Sequence, residues 1–229
     1  MRRGVFSRRC NRLKAAHPAG GIQTARSRTK LTAVALTDLP LFPLSAVLFP
    51  GGPLALRIFE QRYIDLVREC ARKSCGFGVC LILQGREAGE PALPAAVGTL
   101  ARITDFYTLP DGLLGISAEG GERFHVTTTR VRDNGLVHGE VRFWPDEPAV
   151  AVPPEHGLLA TILERLLEKA GGPFAKAERS SYDNATWVGF RLAEFLPLAQ
   201  PERQQLLQMT DPLERLAQLM HYVPRFQRA

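Results

Sequence analysis

The chain has 229 residues, 45% of them hydrophobic and 23% charged, with a formal net charge of +6. This is ordinary globular composition, and the length suits one large domain or two small ones sharing an interface. No apolar run reaches the roughly 18 residues of a membrane-spanning helix, so none is expected.

The charge is uneven. Residues 1–37 hold nine Arg and Lys and no acidic residue, which leaves −3 on residues 38–229. The basic pI of 9.5 therefore belongs to the leading segment and is no sign of nucleic-acid binding by the remainder. Segment 1–37 is polar and poor in aromatics, so it is expected to be a disordered tail. It lacks the apolar stretch of a secretory signal. An over-called translation start, a mitochondrial transit peptide and a nucleic-acid-contacting arm share this composition. Cys70, Cys75 and Cys80 follow a C-x4-C-x4-C spacing, which is not that of a zinc site, and Cys10 lies in the tail. They read as buried, reduced thiols of a cytosolic protein.

Order is expected from about Leu39. Leu39 to Leu44 is apolar, β-prone and interrupted by Pro40 and Pro43, which fits an edge strand because proline cannot donate to a ladder. Phe49-Pro50-Gly51-Gly52-Pro53 is a turn cluster, and Leu54 to Phe59 is a short extended piece. Phe59, Tyr63, Leu66, Val67 and Cys70 then recur with helical period, predicting an amphipathic helix that ends before Gly76. From Phe77 to Trp144 the pattern is β. Phe77–Leu83 and Val97–Leu109 are strands, and Pro110-Asp111-Gly112 is a hairpin turn. Leu113–Glu119 ends at Gly120-Gly121, and Arg123–Val131 ends at Asp133-Asn134-Gly135. Leu136–Trp144 completes a meander. Five or six strands with one inserted helix suggest a small closed or half-closed β-barrel.

Pro145 to Pro154 is a proline- and acid-rich connection. A helix follows on the stripe Leu158, Leu159, Ile162, Leu163, Leu166 and Leu167, stopped by Gly171-Gly172-Pro173. A second helix carries Trp187, Val188, Phe190, Leu192 and Phe195, and Pro201 opens a third. Asp211-Pro212-Leu213-Glu214 starts a fourth with an N-cap carboxylate and proline at the first helical position. The expected organisation is a tail (1–37), a β-barrel subdomain (38–147), a linker (148–154) and a helical subdomain (155–229).

The common chemical motifs are missing. There is no G-x-x-x-x-G-K-[ST] phosphate loop, no G-x-G-x-x-G opening a helix, no G-x-S-x-G and no H-E-x-x-H. Catalytic, cofactor and metal residues are accordingly expected to be none. His125 and His138 lie on adjacent predicted strands and could face each other, as surface pairs commonly do. Asp146 and Glu147 sit in the linker, where solvation is the expected role.

Residues 39–63 contain a Leu-Pro-Leu-Phe-Pro-Leu strand, a Val-Leu-Phe-Pro-Gly turn and a Leu-Arg-Ile-Phe-Glu-Gln-Arg-Tyr junction. In that order they resemble the opening of the N-terminal, substrate-binding domain of Lon proteases (peptidase S16). Gly98-Thr99 with Ala101-Arg102-Ile103, Gly121-Glu122-Arg123-Phe124, Phe195-Leu196-Pro197-Leu198 and Asp211-Pro212-Leu213-Glu214-Arg215-Leu216 extend the resemblance over residues 38–223. It implies an α+β fold: a PUA-like β pseudo-barrel with one inserted helix, followed by a C-terminal helical bundle. It also implies a stand-alone, non-enzymatic relative without ATPase or peptidase parts, in the cytoplasm or, in a eukaryotic source, the mitochondrion. Such a protein would recognise unfolded or exposed polypeptide as an adaptor or holdase, with a separate Lon-type protease as a further partner. RNA binding is the alternative, through the PUA-like barrel or the basic tail.

Among the motif residues, Leu41, Phe42, Leu44, Ile58, Phe59 and Tyr63 read as core, Pro43 as structural, and Pro50 and Gly51 as a turn. Arg57, Glu60 and Arg62 read as an ion network fixing the strand-to-helix junction, since charges in an apolar surround must pair. Peptide contact would need exposed apolar surface or a free strand edge. The candidates are Phe106, Tyr107, Leu113, Phe143 and Trp144. Because neighbours in a strand point to opposite faces, one of Phe106/Tyr107 and one of Phe143/Trp144 should face outward.

Overall fold

A computed structural model describes residues 37–226. The tail residues 1–36, including Cys10, lie outside the described residues. The described chain is mixed α+β. Six strands come first: β1 (Thr37–Leu44), β2 (Pro53–Ile58), β3 (Phe77–Gln84), β4 (Leu93–Thr108), β5 (Leu114–Val131) and β6 (Val137–Phe143). Helix α1 (Gln61–Lys73) is inserted between β2 and β3. Helices α2 (Gly157–Ala170), α3 (Ala185–Phe195), α4 (Gln200–Gln208) and α5 (Pro212–Tyr222) follow the strands.

The sheet runs β2-β5-β4-β3-β1-β6, and β6 pairs with β5 as well as β1. The pairings of β1, β3, β4, β5 and β6 therefore close on themselves, while β2 is attached through β5. β1 is not the edge strand that its prolines suggest. Its first half pairs antiparallel with β6 through Thr37–Pro40, and its second pairs parallel with β3 through Leu41–Leu44. Pro40 thus lies opposite His138 of β6 and Pro43 opposite Cys80 of β3.

β5 is one 18-residue strand, not two strands divided at Gly120-Gly121. Gly120 instead lets another backbone approach. Gly51 donates to the Gly120 carbonyl at 2.7 Å and Gly120 donates to Gly52 at 2.9 Å. A Cβ at Gly120 would lie 2.2 Å from the Phe49 carbonyl oxygen.

α1 buries Tyr63, Leu66, Val67 and Cys70 against the strands, and Tyr63 stacks on Phe42 at 3.9 Å. The helical half has its own core, built from Leu159, Leu163, Leu167, Val188, Leu192, Leu206, Leu216 and Leu219. Phe49 and Val97 extend that core into the strand half. Leu158, expected on the buried stripe, is exposed, because the four-residue spacing of Leu159, Leu163 and Leu167 already fills the contact. Asp211 caps α5 by accepting from Leu213, as its sequence indicates, and Asn184 caps α3 by accepting from Trp187. Cys70 and Cys80 are buried, but Cys75 is exposed, because it lies beyond the end of α1.

Candidate functional site

The aromatics nominated from the sequence separate into two places. Phe106 pairs with Ile116 and Tyr107 with Gly115, so they do point to opposite faces, yet both are exposed, at 48% and 37%. Tyr107 lies over Gly115, where an added Cβ would come within 2.3 Å of its ring. Leu113 is half-buried in the same hairpin, and its carbonyl accepts from Leu109. Phe143 and Trp144 do not provide an outward aromatic. Phe143 packs edge-on against Phe124, and Trp144 lies under the Arg123 guanidinium and against the helical core. The chain turns into the helical half here, so both faces of the strand end are covered.

An exposed aromatic appears where the sequence indicates core. Phe59 is 56% exposed. It follows Ile58 at the end of β2 and precedes Gln61, the first residue of the helix that buries Tyr63 and Leu66. Phe59 lines a groove of about 330 Å³ with Phe42, Leu44, Leu56 and Tyr63. Among the described strands β2 pairs with β5 alone, so its other edge is unpaired beside this groove. The groove also touches Glu87, whose carboxylate accepts from the Ser45 backbone at 2.6 Å. Glu87 and Ser45 line a second groove as well, of about 820 Å³, between the end of β3 and α4. Leu83, 61% exposed, and Gln204, Gln205 and Gln208 flank it. The two grooves meet at the Ser45–Glu87 contact.

Two members of the expected ion network are present at the junction. Arg62 is buried and lies 3.0 Å from Glu60, with its guanidinium over the Tyr63 ring at 4.7 Å. It also donates to the Gly135 and Glu87 carbonyls, while Glu60 accepts from Gly89. Burial pushes the Tyr63 hydroxyl above its ordinary pKa. Arg57 is not part of this network: its exposed side chain pairs with Asp111 at 2.6 Å, because β2 turns it to the outer face with Tyr107. Leu41, Phe42 and Pro43 are buried. Gly51 takes φ +69° in the turn after Pro50, and Arg191 donates to both their carbonyls.

Glu147 is not a solvated linker residue. Its side chain is 4% exposed and pairs with Arg123 of β5 at 2.5 Å and with Arg215 of α5. Thr186 of α3 donates to its second oxygen at 2.8 Å. Both carboxylate oxygens are occupied, so this is a joint between the strand and helical halves and offers no free base. Burial pushes Arg123 down to about 10, against the opposing attraction of Glu147. His125 and His138 do not face each other; the register sets them against Arg142 and Arg130. Among the described residues no group of three or more His, Cys, Asp or Glu is placed to hold a metal.

The family model for the ATP-dependent protease La (LON) substrate-binding domain matches residues 38–225. The chain belongs to this family. A Lon N-terminal domain protein from Xanthomonas campestris is 49% identical, with a TM-score of 0.69, over 81% of this chain and 98% of that one. The N-terminal domain of Mycobacterium avium complex Lon protease shares the fold, with a TM-score of 0.57 at 15% identity, over 81% and 97% of the two chains. A LON peptidase N-terminal domain and RING finger protein of Schizosaccharomyces pombe is 24% identical over 82% of this chain and 45% of its own length. Escherichia coli Lon protease is 23% identical over 80% of this chain and 24% of its own length. This Lon-type chain thus spans a quarter to a half of those longer relatives. What is matched is the substrate-binding part. No helix among the described residues is long and apolar enough to cross a membrane.

Proposed function

We propose that this chain is a polypeptide-recognition module that binds exposed, extended, apolar segments of unfolded proteins. The observation that carries the reading is Phe59, exposed beside the edge of β2 that no described strand pairs, and above a largely apolar groove. An unpaired strand edge offers backbone donors and acceptors at the spacing of an extended chain, and an adjoining apolar groove takes alternate side chains. Leu83 in the adjoining groove extends the path, and Phe106, Tyr107 and Leu113 supply a secondary contact.

The closed ring of strand pairings supports the reading of residues 38–147 as a PUA-like pseudo-barrel, and the separate apolar core of α2–α5 supports a helical bundle over 155–229. The module acts as an adaptor or holdase in the cytoplasm, without ATPase or peptidase chemistry of its own, and hands clients to a separate Lon-type protease. The net acidic character of residues 38–229 supports polypeptide over RNA, because phosphate binding needs clustered Lys and Arg.

Hydrogen exchange tests the site. Saturating unfolded polypeptide is expected to protect amides within Pro53–Ile58 while leaving the α2 amides unchanged. Binding without protection at β2 would move the site elsewhere.

A further inference from the structure

α1 ends in a left-handed cap that carries the six-to-one backbone bond of a Schellman motif. Ser74 takes a left-handed conformation (φ 50°), and both Ser74 and Cys75 donate their backbone N–H to the Cys70 carbonyl, Cys75 at 3.2 Å. This motif folds the chain back so that the residue just past the left-handed position packs on the residue five before it. Here those two positions are Cys70 and Cys75. One is buried and the other exposed, and both are free thiols. The Cys70 thiol also reaches the Gly76 carbonyl, at 3.6 Å, which turns it toward the segment that carries Cys75. Cys80, by contrast, is enclosed within the strands, and its environment raises its pKa through burial alone.

We infer that Cys70 and Cys75 form a reversible disulfide that staples the C-terminal end of α1, with a small-molecule disulfide such as oxidised glutathione as the oxidant. The accessible Cys75 reacts first. Its thiolate attacks one sulfur of the oxidant, forming a mixed disulfide and releasing one thiol of the reduced form. The Cys70 thiol then gives up its proton and attacks the Cys75 sulfur, forming the Cys70–Cys75 bond and releasing a second reduced molecule. Two cysteine thiols are oxidised and one disulfide is reduced to two thiols, so the exchange balances. Burial and the neighbouring Cys75 push the Cys70 thiol up to about 12, so its thiolate is scarce and the second step is the slow one.

The test uses the full chain carrying Cys10→Ser, equilibrated with oxidised and reduced glutathione in varied ratio, quenched with acid and mapped by mass spectrometry. The expected result is a loss of two hydrogen masses, a peptide linking Cys70 to Cys75, an unmodified Cys80 and full reversal by dithiothreitol. In Cys75→Ser, at an exposed position that leaves folding intact, the mass loss disappears. A stable glutathione adduct on Cys75 with Cys70 still free overturns the inference. So does an intermolecular Cys75 dimer, or linkage that forms only in denaturant.

Discussion

Glu147 and Arg215 form a two-point ion pair, with Arg215 Nη1 2.9 Å from Glu147 Oε2 and Nη2 on Oε1, although 68 residues separate them. Arg123 takes the same carboxylate from the strand side. Both guanidinium groups also lie near the Phe190 ring, at 5.3 and 3.9 Å, so the cluster is enclosed by apolar surface. One carboxylate thus holds two buried cations from opposite halves of the molecule. Glu147→Gln should leave both arginines buried without a counter-charge and cost about 3–5 kcal/mol of unfolding free energy. Urea unfolding measures this; a loss below about 1 kcal/mol would show that the cluster does not join the halves.

Two glycine substitutions should act with opposite sign. At Gly120, Ala places a Cβ against the Phe49 carbonyl, which belongs to backbone that is itself bonded to β5. Overpacking of this kind costs about 1–3 kcal/mol. At Gly157, the first residue of α2, the backbone is already right-handed helical and an added Cβ meets nothing within 4 Å. Gly157→Ala should stabilise by about 0.4–1 kcal/mol through the unfolded chain. Paired thermal or urea unfolding curves check both signs.

His138 makes stability depend on pH. Its side chain is buried; burial, and then Arg132, hold its pKa below the ordinary 6.5, with Asp38 opposing and Arg130 adding to the depression. The unfolded chain therefore takes up a proton that the folded chain resists. The stabilisation is complete above pH 6.5 and is lost as pH falls through the unfolded value towards the folded one. The urea midpoint should drop between about pH 7.5 and about pH 5.5, and His138→Gln should flatten that drop. An unchanged slope in the variant would assign the effect to other groups.

Phe59→Ser should separate binding from folding. Phe59 is more than half exposed, so stability should change by less than about 1 kcal/mol. Polypeptide affinity should fall by about tenfold, the loss of about 1.4 kcal/mol expected for an aromatic anchor in an interface. Anisotropy titrations beside urea curves give both values. Equal affinity for variant and parent would remove Phe59 from the site.

What could be read from the sequence was local. The cap at Asp211, the α1 stripe and the turns at Asp111-Gly112 and Asn134-Gly135 are all set by residues within a few positions of one another. What could not be read depends on distant partners. Glu147 looks solvated until Arg123 and Arg215, 24 and 68 residues away, close on it. Gly120-Gly121 looks like a turn until the Phe49–Gly52 backbone docks on it. Phe59 shares the helical period of Tyr63 and Leu66, but it precedes the first helical residue, Gln61, so its backbone direction is that of the strand end. The ion pair at the junction was half legible: Glu60 and Arg62 meet as their spacing suggests, whereas Arg57 is drawn to Asp111 by the hairpin that brings them together.

The central claim is that the folded part recognises polypeptide. The direct measurement is fluorescence anisotropy of the full chain titrated into a labelled unfolded polypeptide and a labelled RNA oligomer, each at low and moderate salt. The account expects saturable polypeptide binding that changes little with salt, together with RNA binding that is absent at moderate salt. Tight, steeply salt-dependent RNA binding without polypeptide binding would contradict it.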